Sequence, residues 1–586
     1  MIADVAFDLP LRRSFSYIVP PGMSLARGQR VSAPLQGRQR VGLVVDLREA
    51  DTAGLKPVQR AVESAPILSG AALEFGRWAA AESLSSLGST LLSLLPPPPR
   101  PGSAEPVAPA AEPRGGAAPP PELWIGAERE AELAARLSRE SGPALVIAPD
   151  RESAARWANR LDAARLDSGA PDAERRAAWF AASRGRARVV VGTRSALLVP
   201  LPPPATLALL DEHDLAHKPP GAPRLHSREL LVERARLEGS RLLLLSATPS
   251  TETWWRADSG QISRPAPEVG PWPEVITADT RGILRNHPLT LPLTRAIEDL
   301  TRAGRQVALI VTRGAAALGC DECGVLFRCP DCGVALALGR ASKTLGCRFC
   351  ARTEPMPDTC PGCGGHRLSP FGWDPDRVQA SVLKRFPRLR VSRDLRNAQV
   401  LIGTAALLRG LPAGSVGCVG FIALDGLLRL PDFRAGERAW QSLWAAAEAV
   451  GAGGRVVVQT LHPDHYAVQA ARTQDRDVFY THELRFRAEL GYPPFRRLCV
   501  VSVRGKAEKP ARALIDECAG AVRGIGGLTV YPPAALGAPG ARSSRWRFVI
   551  KGPAELPRLI APALAPFLER GRRSAGVVEV EMDPVA

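Results

Sequence analysis

Four Cys-x-x-Cys pairs, Cys320/Cys323, Cys329/Cys332, Cys347/Cys350 and Cys360/Cys363, fall within 44 residues of a 586-residue chain. Each pair forms a tight turn that presents two sulfurs together, and Zn²⁺ accepts four thiolates tetrahedrally. Eight sulfurs therefore predict two closed four-thiolate zinc sites. No position is left for a reacting water, so both zincs are expected to be structural. A disulfide framework is a poor alternative. The chain is long, its N-terminus (MIADVAFDLPLRRSF) lacks a secretory apolar run, and only Cys418, Cys499 and Cys518 remain outside the group. Spacing alone leaves open whether consecutive pairs share a metal or whether the pairs nest.

No uncharged apolar stretch approaches the length of a membrane span, so a cytoplasmic, nucleoid-associated protein without a membrane partner is expected. The net charge of +17 favours a polyanionic partner such as nucleic acid. Only seven of the 76 basic residues are Lys. The Arg excess suits bidentate phosphate contacts, and it is equally what a GC-rich genome produces.

The organisation is that of a multidomain α/β protein. Short β-type runs at 2–8, 16–19, 30–34 and 40–47, separated by turn signals at Pro20-Pro21-Gly22 and Gln36-Gly37, predict a small β-barrel. A helical stretch, 71–95, completes an N-terminal domain over 1–95. Residues 96–121 hold 11 prolines and read as an extended linker. Alternating strands and helices follow in two α/β units, 122–285 and 286–481. The first has strands at 144–148, 189–192, 207–210 and 242–245, with a helix at 128–138. The second has strands at 306–312, 399–403, 419–424 and 456–460, with the zinc region 318–366 inserted after its first strand. A smaller α+β domain occupies 482–586.

In this order the chain resembles the primosome-assembly helicase family, primosomal protein N-prime (PriA). Val5–Phe7, Phe15-Ser16-Tyr17, Pro21-Gly22-Met23 and Val41–Val45 resemble the family's N-terminal 3′-DNA-end binding domain. Gly192-Thr193-Arg194-Ser195-Ala196 and Ser246-Ala247-Thr248-Pro249 resemble motifs of a first RecA-like helicase lobe. Ile402-Gly403-Thr404 and Asp432-Phe433-Arg434 through Glu437-Arg438 resemble those of a second, and Pro493-Pro494 and Arg545-Trp546-Arg547 the C-terminal domain. The resemblance implies nested zinc sites, one of Cys320, Cys323, Cys360 and Cys363, the other of Cys329, Cys332, Cys347 and Cys350. It also places Phe15, Ser16, Gly37 and Lys56 on a pocket for a 3′ end, and Arg194 against a DNA strand. Where Ser16 stands the family has Asp, an acceptor for the 3′-hydroxyl. Serine accepts as a neutral group, and more weakly.

The departures concern ATP. A working helicase of this kind needs a Gly-rich phosphate loop ending in Lys. Here Leu123–Glu130 reads LWIGAERE, and no Lys occurs between Pro57 and His217. The acidic motif is one Glu short, leaving Asp211-Glu212-His213 as a degenerate nucleotide site. The stretch matching the family's arginine fingers, Ala445–Gly451, has no arginine. Such a finger is worth roughly 10³–10⁵ in rate. ATP is therefore not expected as a cofactor. The family's winged-helix domain has no counterpart, since the Pro-rich linker takes its place. What the resemblance implies is a pseudo-helicase with no catalytic residue, which recognises stalled or abandoned forks and promotes primosome assembly and reloading of the replicative helicase. Implied partners are forked and single-stranded DNA, primosome proteins, the replicative helicase or its loader, and single-stranded DNA-binding protein. The alternative is an active ATP-dependent 3′-to-5′ helicase with an unconventional nucleotide site.

Overall fold

The computed structural model describes all residues except 100–116, 265–269, 282–286, 313–314, 340–343, 348–349, 351, 372, 374, 395–396, 537–543, 570–575 and 586. Most of the expected linker lies outside the described residues. The chain forms two compact units, one of residues 1–266, 496–530 and 537–586, the other of 267–495 and 531–536. Among the described residues, no helix is long and apolar enough to cross a membrane.

The first unit begins with strands β1 (Ile2–Phe7), β2 (Phe15–Ile18), β3 (Arg30–Leu35), β4 (Arg38–Arg48) and β5 (Arg60–Ala61), ordered β2-β1-β4-β3-β5. Alternation sends Ala3, Val5, Phe7, Tyr17, Val31, Ala33 and Val44 into one core. Residues 56–59 close the sheet, because Ile18 N–H donates to Lys56 O at 3.0 Å and Gln59 N–H to Ser32 O at 2.9 Å. The β3–β4 hairpin turns on two residues of positive φ, Gln36 (51°) and Gly37 (77°), the pairing that matches strand twist. The helical stretch predicted over 71–95 is two helices, Gly70–Ser83 and Leu87–Leu92. Leu84, at φ 54°, ends the first, and Ser86 caps the second.

A six-stranded parallel sheet follows: β6 (Glu122–Trp124), β7 (Ala144–Ile147), β8 (Ala164–Leu166), β9 (Val189–Gly192), β10 (Thr206–Leu209) and β11 (Arg241–Leu245), ordered β6-β11-β10-β7-β9-β8. Its central strands are nearly continuous apolar runs because helices cover both faces. The helix expected over 128–138 is Arg129–Arg139. β6 was not anticipated; it pairs with β11 and delivers the chain to that helix. The strands Arg497–Gly505, Ser544–Gly552 and Val577–Met582 belong to this unit as an antiparallel sheet. Lys218 ties that sheet to the first, its Nζ donating to the Met582 and Asp583 carbonyls. Arg497 bridges Asp583 and Glu82 at 2.7 and 2.8 Å.

The second unit holds another six-stranded parallel sheet. Strands β12 (Glu274–Asp279) and β13 (Val307–Ile310) precede a cysteine-bearing insertion with β14 (Ala315–Cys320), β15 (Ala337–Gly339), β16 (Thr344–Gly346), β17 (Thr353–Pro355) and β18 (Leu368–Phe371). The sheet resumes with β19 (Val391–Ser392), β20 (Val400–Gly403), β21 (Cys418–Phe421) and β22 (Arg455–Thr460), in the order β12-β22-β21-β13-β20-β19. The helix Arg476–Leu490 spans the boundary predicted at 482 and packs in this unit. Its Arg487, fully buried, pairs with Glu437 at 2.8 Å and Glu483 at 2.9 Å, and donates to Pro493 O. Removing one member of such a group leaves a buried charge uncompensated. Arg487→Ala should lower the unfolding free energy of the unit by about 3–5 kcal/mol, as read by urea denaturation.

Candidate metal centres and nucleic-acid interface

The structure resolves the cysteine pairing that spacing left open. Cys320, Cys323, Cys360 and Cys363 form one group, and Cys329, Cys332, Cys347 and Cys350 the other, with the sulfurs of each group within 4.8 Å of one another. The pairs nest. Sulfur separations of 3.7 Å (Cys320–Cys363), 3.5 Å (Cys323–Cys360) and 3.5 Å (Cys329–Cys350) compare with the roughly 3.8 Å edge of a tetrahedron built on a 2.3 Å Zn–S bond. All eight are free thiols rather than disulfides. The donor sets thus fit two Zn²⁺ ions of structural type.

Each described turn is preformed by its backbone. Cys320 N–H donates to Val325 O at 2.9 Å and Gly324 N–H to Cys320 O at 3.1 Å. The same pair of bonds recurs at Cys329 with Gly333 and Val334, and at Cys360 with Gly364 and Gly365. The glycine after the second cysteine has positive φ in all three turns, at 83° (Gly324), 66° (Gly333) and 72° (Gly364). Sequence reasoning passed over this Cys-x-x-Cys-Gly signal. It needs glycine because side chains rarely tolerate that backbone conformation. The inner group is held from outside by Tyr492, whose hydroxyl donates to Cys332 O at 2.7 Å. Tyr492 is itself stacked on Phe433 at 4.3 Å. Burial pushes the Cys323 and Cys329 thiols up to about 12, so a cation is needed to hold them as thiolates.

In the barrel, Phe15 is half-buried, with its ring edge-on to Phe7 at 5.9 Å and the Arg13 guanidinium 5.4 Å from its centroid. Tyr17 is core, its hydroxyl donating to Pro34 O at 3.1 Å. Lys56 is exposed and reaches β2 only through its main chain, while Gly37 stands at the exposed hairpin tip. Ser16 lies on the outer face opposite Asp4 and donates to its carboxylate at 2.6 Å. Arg48 donates to the same carboxylate at 3.0 Å. Burial works against the charge of Asp4, but those two donors hold its pKa below the usual carboxylate range. A negative acceptor therefore stands beside Ser16, contributed by the neighbouring strand. Asp4 also lines a cavity of about 240 Å³ with Arg12, Arg13, Asp46 and Arg77. Sequence reasoning missed Asp4 because only strand register brings it to Ser16.

At the first sheet the predicted nucleotide residues separate. Glu212 is completely buried and accepts from Ser250 N–H at 2.6 Å, Arg228 Nη1 at 2.8 Å and Thr253 Oγ1 at 3.1 Å. It holds the segment after β11 in place. Asp211, at φ 46°, is only partly buried and lies near Glu130. Glu130 sits in the first turn of helix Arg129–Arg139. Burial and the Asp211 charge raise its pKa, while Arg129, Arg160 and Arg156 oppose the rise. The stretch compared above with a phosphate loop, Leu123–Glu130, runs into this helix start, whose first turn carries Glu130 and Glu132. Arg194 donates to the carbonyls of Leu225, Gly221 and Pro223. Its burial lowers it to about 10, and its donors stabilise the 221–225 loop. Ala445–Val450, the stretch compared with arginine fingers, is the last part of the helix Ala435–Val450, where Ala446, Ala447, Ala449 and Val450 are buried. The Asp432–Arg438 motif is likewise internal: Arg438 bonds Asp432 at 2.6 Å and Arg434 pairs with Glu437.

Residues 4–96 match the family described as 3′DNA-binding domain (3′BD), and residues 488–585 match the primosomal protein N C-terminal domain. The replication restart protein PriA of Treponema pallidum is 27% identical, with 99% of both chains aligned. This chain is a divergent member of the PriA family. The PriA protein of Bacillus subtilis is 29% identical over 75% of this chain and 60% of its own length. That of Synechocystis is 29% identical over 74% and 57%. The chain thus spans somewhat under two thirds of these two relatives. A solved structure titled "Structure of RecG bound to three-way DNA junction" aligns with a TM-score of 0.34 and 11% identity over 62% of this chain and 43% of that one, too slight a likeness to carry a conclusion.

Metal analysis of the reduced protein should return two zincs per chain. Cys329→Ser and Cys347→Ser made together should still leave one zinc bound, which the nested arrangement requires, whereas a consecutive one would lose both.

Proposed function

We propose that this chain recognises arrested replication forks through the 3′ end of the nascent strand and supports primosome assembly and reloading of the replicative helicase, without unwinding DNA itself. The two α/β sheets then correspond to helicase lobes that have lost ATP chemistry. One observation carries this reading: Glu130, in the first turn of helix Arg129–Arg139, feels the charge of Asp211 at the place where a triphosphate would need a cation and a backbone cradle. Two carboxylates there repel the β- and γ-phosphates. Glu212 is engaged by donors of three residues of its own fold, Arg228, Ser250 and Thr253, and is not available to a Mg²⁺ ion.

The match to a 3′DNA-binding domain supports the fork-recognition half. Phe15 is suited to stack a terminal base, Ser16 and Asp4 to accept from a 3′-hydroxyl, and the arginines around the Asp4 cavity to meet phosphates. The relatives' name, replication restart protein, supports the restart half of the reading, and the partners proposed with it are forked and single-stranded DNA, primosome proteins and the replicative helicase or its loader.

ATP hydrolysis should stay at background with or without forked DNA, and no strand should be displaced. Asp211→Asn should leave fork binding unchanged. DNA-stimulated ATP turnover that disappears in Asp211→Asn would restore the ATP-dependent helicase reading. In a separate binding assay, forks ending in a 3′-hydroxyl should bind more tightly than forks ending in a 3′-phosphate. Phe15→Ala should cost about 1–3 kcal/mol of binding to the former, the scale of one base stacked on an aromatic ring. Its salt-dependent non-specific binding should persist, since phosphate contacts are separate. Equal affinity for the two fork ends would count against the 3′-end pocket.

A further inference from the structure

Arg429 brings a positive charge into the interior of the second unit. It follows the short helix Asp425–Leu428 at the carboxyl end of β21 and has 0% exposure. A guanidinium does not shed its proton on burial, so counter-charges must come to it. On the sheet side stands Asp425, also fully buried, which accepts from Leu461 N–H at 3.0 and 3.2 Å and from the Thr460 hydroxyl at 3.1 Å. Those two residues are the carboxyl end of β22 and its continuation.

On the other side stands the outer cysteine group. A Cβ placed on Gly319, the residue before Cys320, would lie 2.5 Å from the Arg429 Cζ and 2.6 and 2.8 Å from its two Nη atoms. The guanidinium therefore rests against the Gly319 backbone, and only glycine leaves it room. Burial disfavours the charge of Arg429, while Asp425, Asp321 and Cys320 favour it. The same metal knuckle touches the sheet at a second point. A Cβ on Gly324 would meet Leu461 O at 2.9 Å and Leu461 Cβ at 3.0 Å.

Four thiolates around Zn²⁺ leave a net charge of about −2, and in the outer group Cys320, the ligand next to Gly319, is buried while Cys363 is open to solvent, so the charge to be offset lies on the Cys320 side. We propose that Arg429 is the counter-cation of the outer zinc cluster and, through Asp425, couples that cluster to the carboxyl ends of β21 and β22. The proposal rests on zinc occupying the outer group. Arg429 acts as a positioning residue: it touches no metal, and it sets the electrostatic cost of holding the four sulfurs ionised.

Zinc release from the full-length protein to a chromophoric chelator tests this. Cys323→Ser, which lacks the outer zinc, identifies the outer phase by its absence. Arg429→Met, which keeps the apolar stem without the charge, should speed the outer phase about 10–100-fold, the usual effect of losing a group behind a metal ligand. The inner phase should be unchanged. Arg429→Lys should recover most of the lost retention, which a purely steric role would not predict. Gly319→Ala should speed the outer phase by displacing the guanidinium. Hydrogen exchange of residues 456–462 should rise in Arg429→Met. An unchanged outer phase in a folded, two-zinc Arg429→Met protein overturns the proposal, and so does equal acceleration of both phases. Where Arg429→Met does not fold, an unchanged outer phase in Gly319→Ala overturns it. Fewer than two zincs in the unmodified chain overturns it together with the metal assignment.

Discussion

Burying thiols as anions is unfavourable unless a cation claims them, and the insertion in the second unit is organised around that constraint. Seven of its eight cysteine ligands are buried or half-buried, and only Cys363 is exposed. The strands of the insertion are short, and among its described residues only Leu318, Phe327, Val334, Leu336 and Leu345 are buried apolar side chains larger than Ala besides the cysteines, so its own core is small. Metal coordination takes the place of that core. The turns are set by backbone bonds and by glycines in the left-handed region before any ion arrives. The inner group then docks through Tyr492, with Phe486 and Leu490 packed closely against Gly333. A sheet interrupted after β13 can resume at β19 because the excursion is closed on itself.

The two parallel sheets share an architecture but hold their buried charges differently. In the second unit the ionic group Glu437–Arg487–Glu483 joins two helices. In the first, Glu212 draws donors of three residues, in the segment after β11 and in helix Ser227–Glu238. Releasing that carboxylate would cost buried Arg228 one of its two ion pairs, the other being with Glu229 at 2.9 Å. His213 is tied in the same way, its Nδ1 lying 2.6 Å from Ser246 Oγ. Glu212, His213, Ser246 and Ser250 thus form hydrogen-bonded groups at the carboxyl ends of β10 and β11.

The elements with strong local patterns were legible in the sequence. The barrel strands alternate, and the parallel strands are apolar runs bounded by turns, so both were placed to within a few residues. Strands such as β6 and β12 escaped because their residues are mixed and their pairing is imposed by distant partners, β11 and β22. The break at Leu84 escaped because the residues immediately around it, Glu82 to Ser86, include no glycine or proline to mark the stop. At the sites, the cysteines were legible by chemistry, whereas their nesting required three-dimensional distance. Arg194 and Glu212 look in sequence like functional groups of a motif. What sequence could not name is their partners, loop carbonyls for one and buried donors for the other. Asp4 is the converse case, an unremarked residue that register brings against Ser16.

If ATP chemistry is absent, the persistence of the first sheet needs another reason, and its attachments supply one. Lys218 is the first lysine after Lys56, and it is buried with its donors on the carbonyls of Met582 and Asp583. Arg497 joins Asp583 to Glu82, a residue of the helix that packs beneath the barrel. Both links are charged, and both are screened from solvent on at least one side, so they hold their geometry better than surface pairs do. The 3′DNA-binding domain and the C-terminal domain are therefore fixed to one rigid parallel sheet within a single unit. A protein that recognises a fork by the relative placement of a strand end and its flanking phosphates needs that rigidity whether or not the sheet hydrolyses anything.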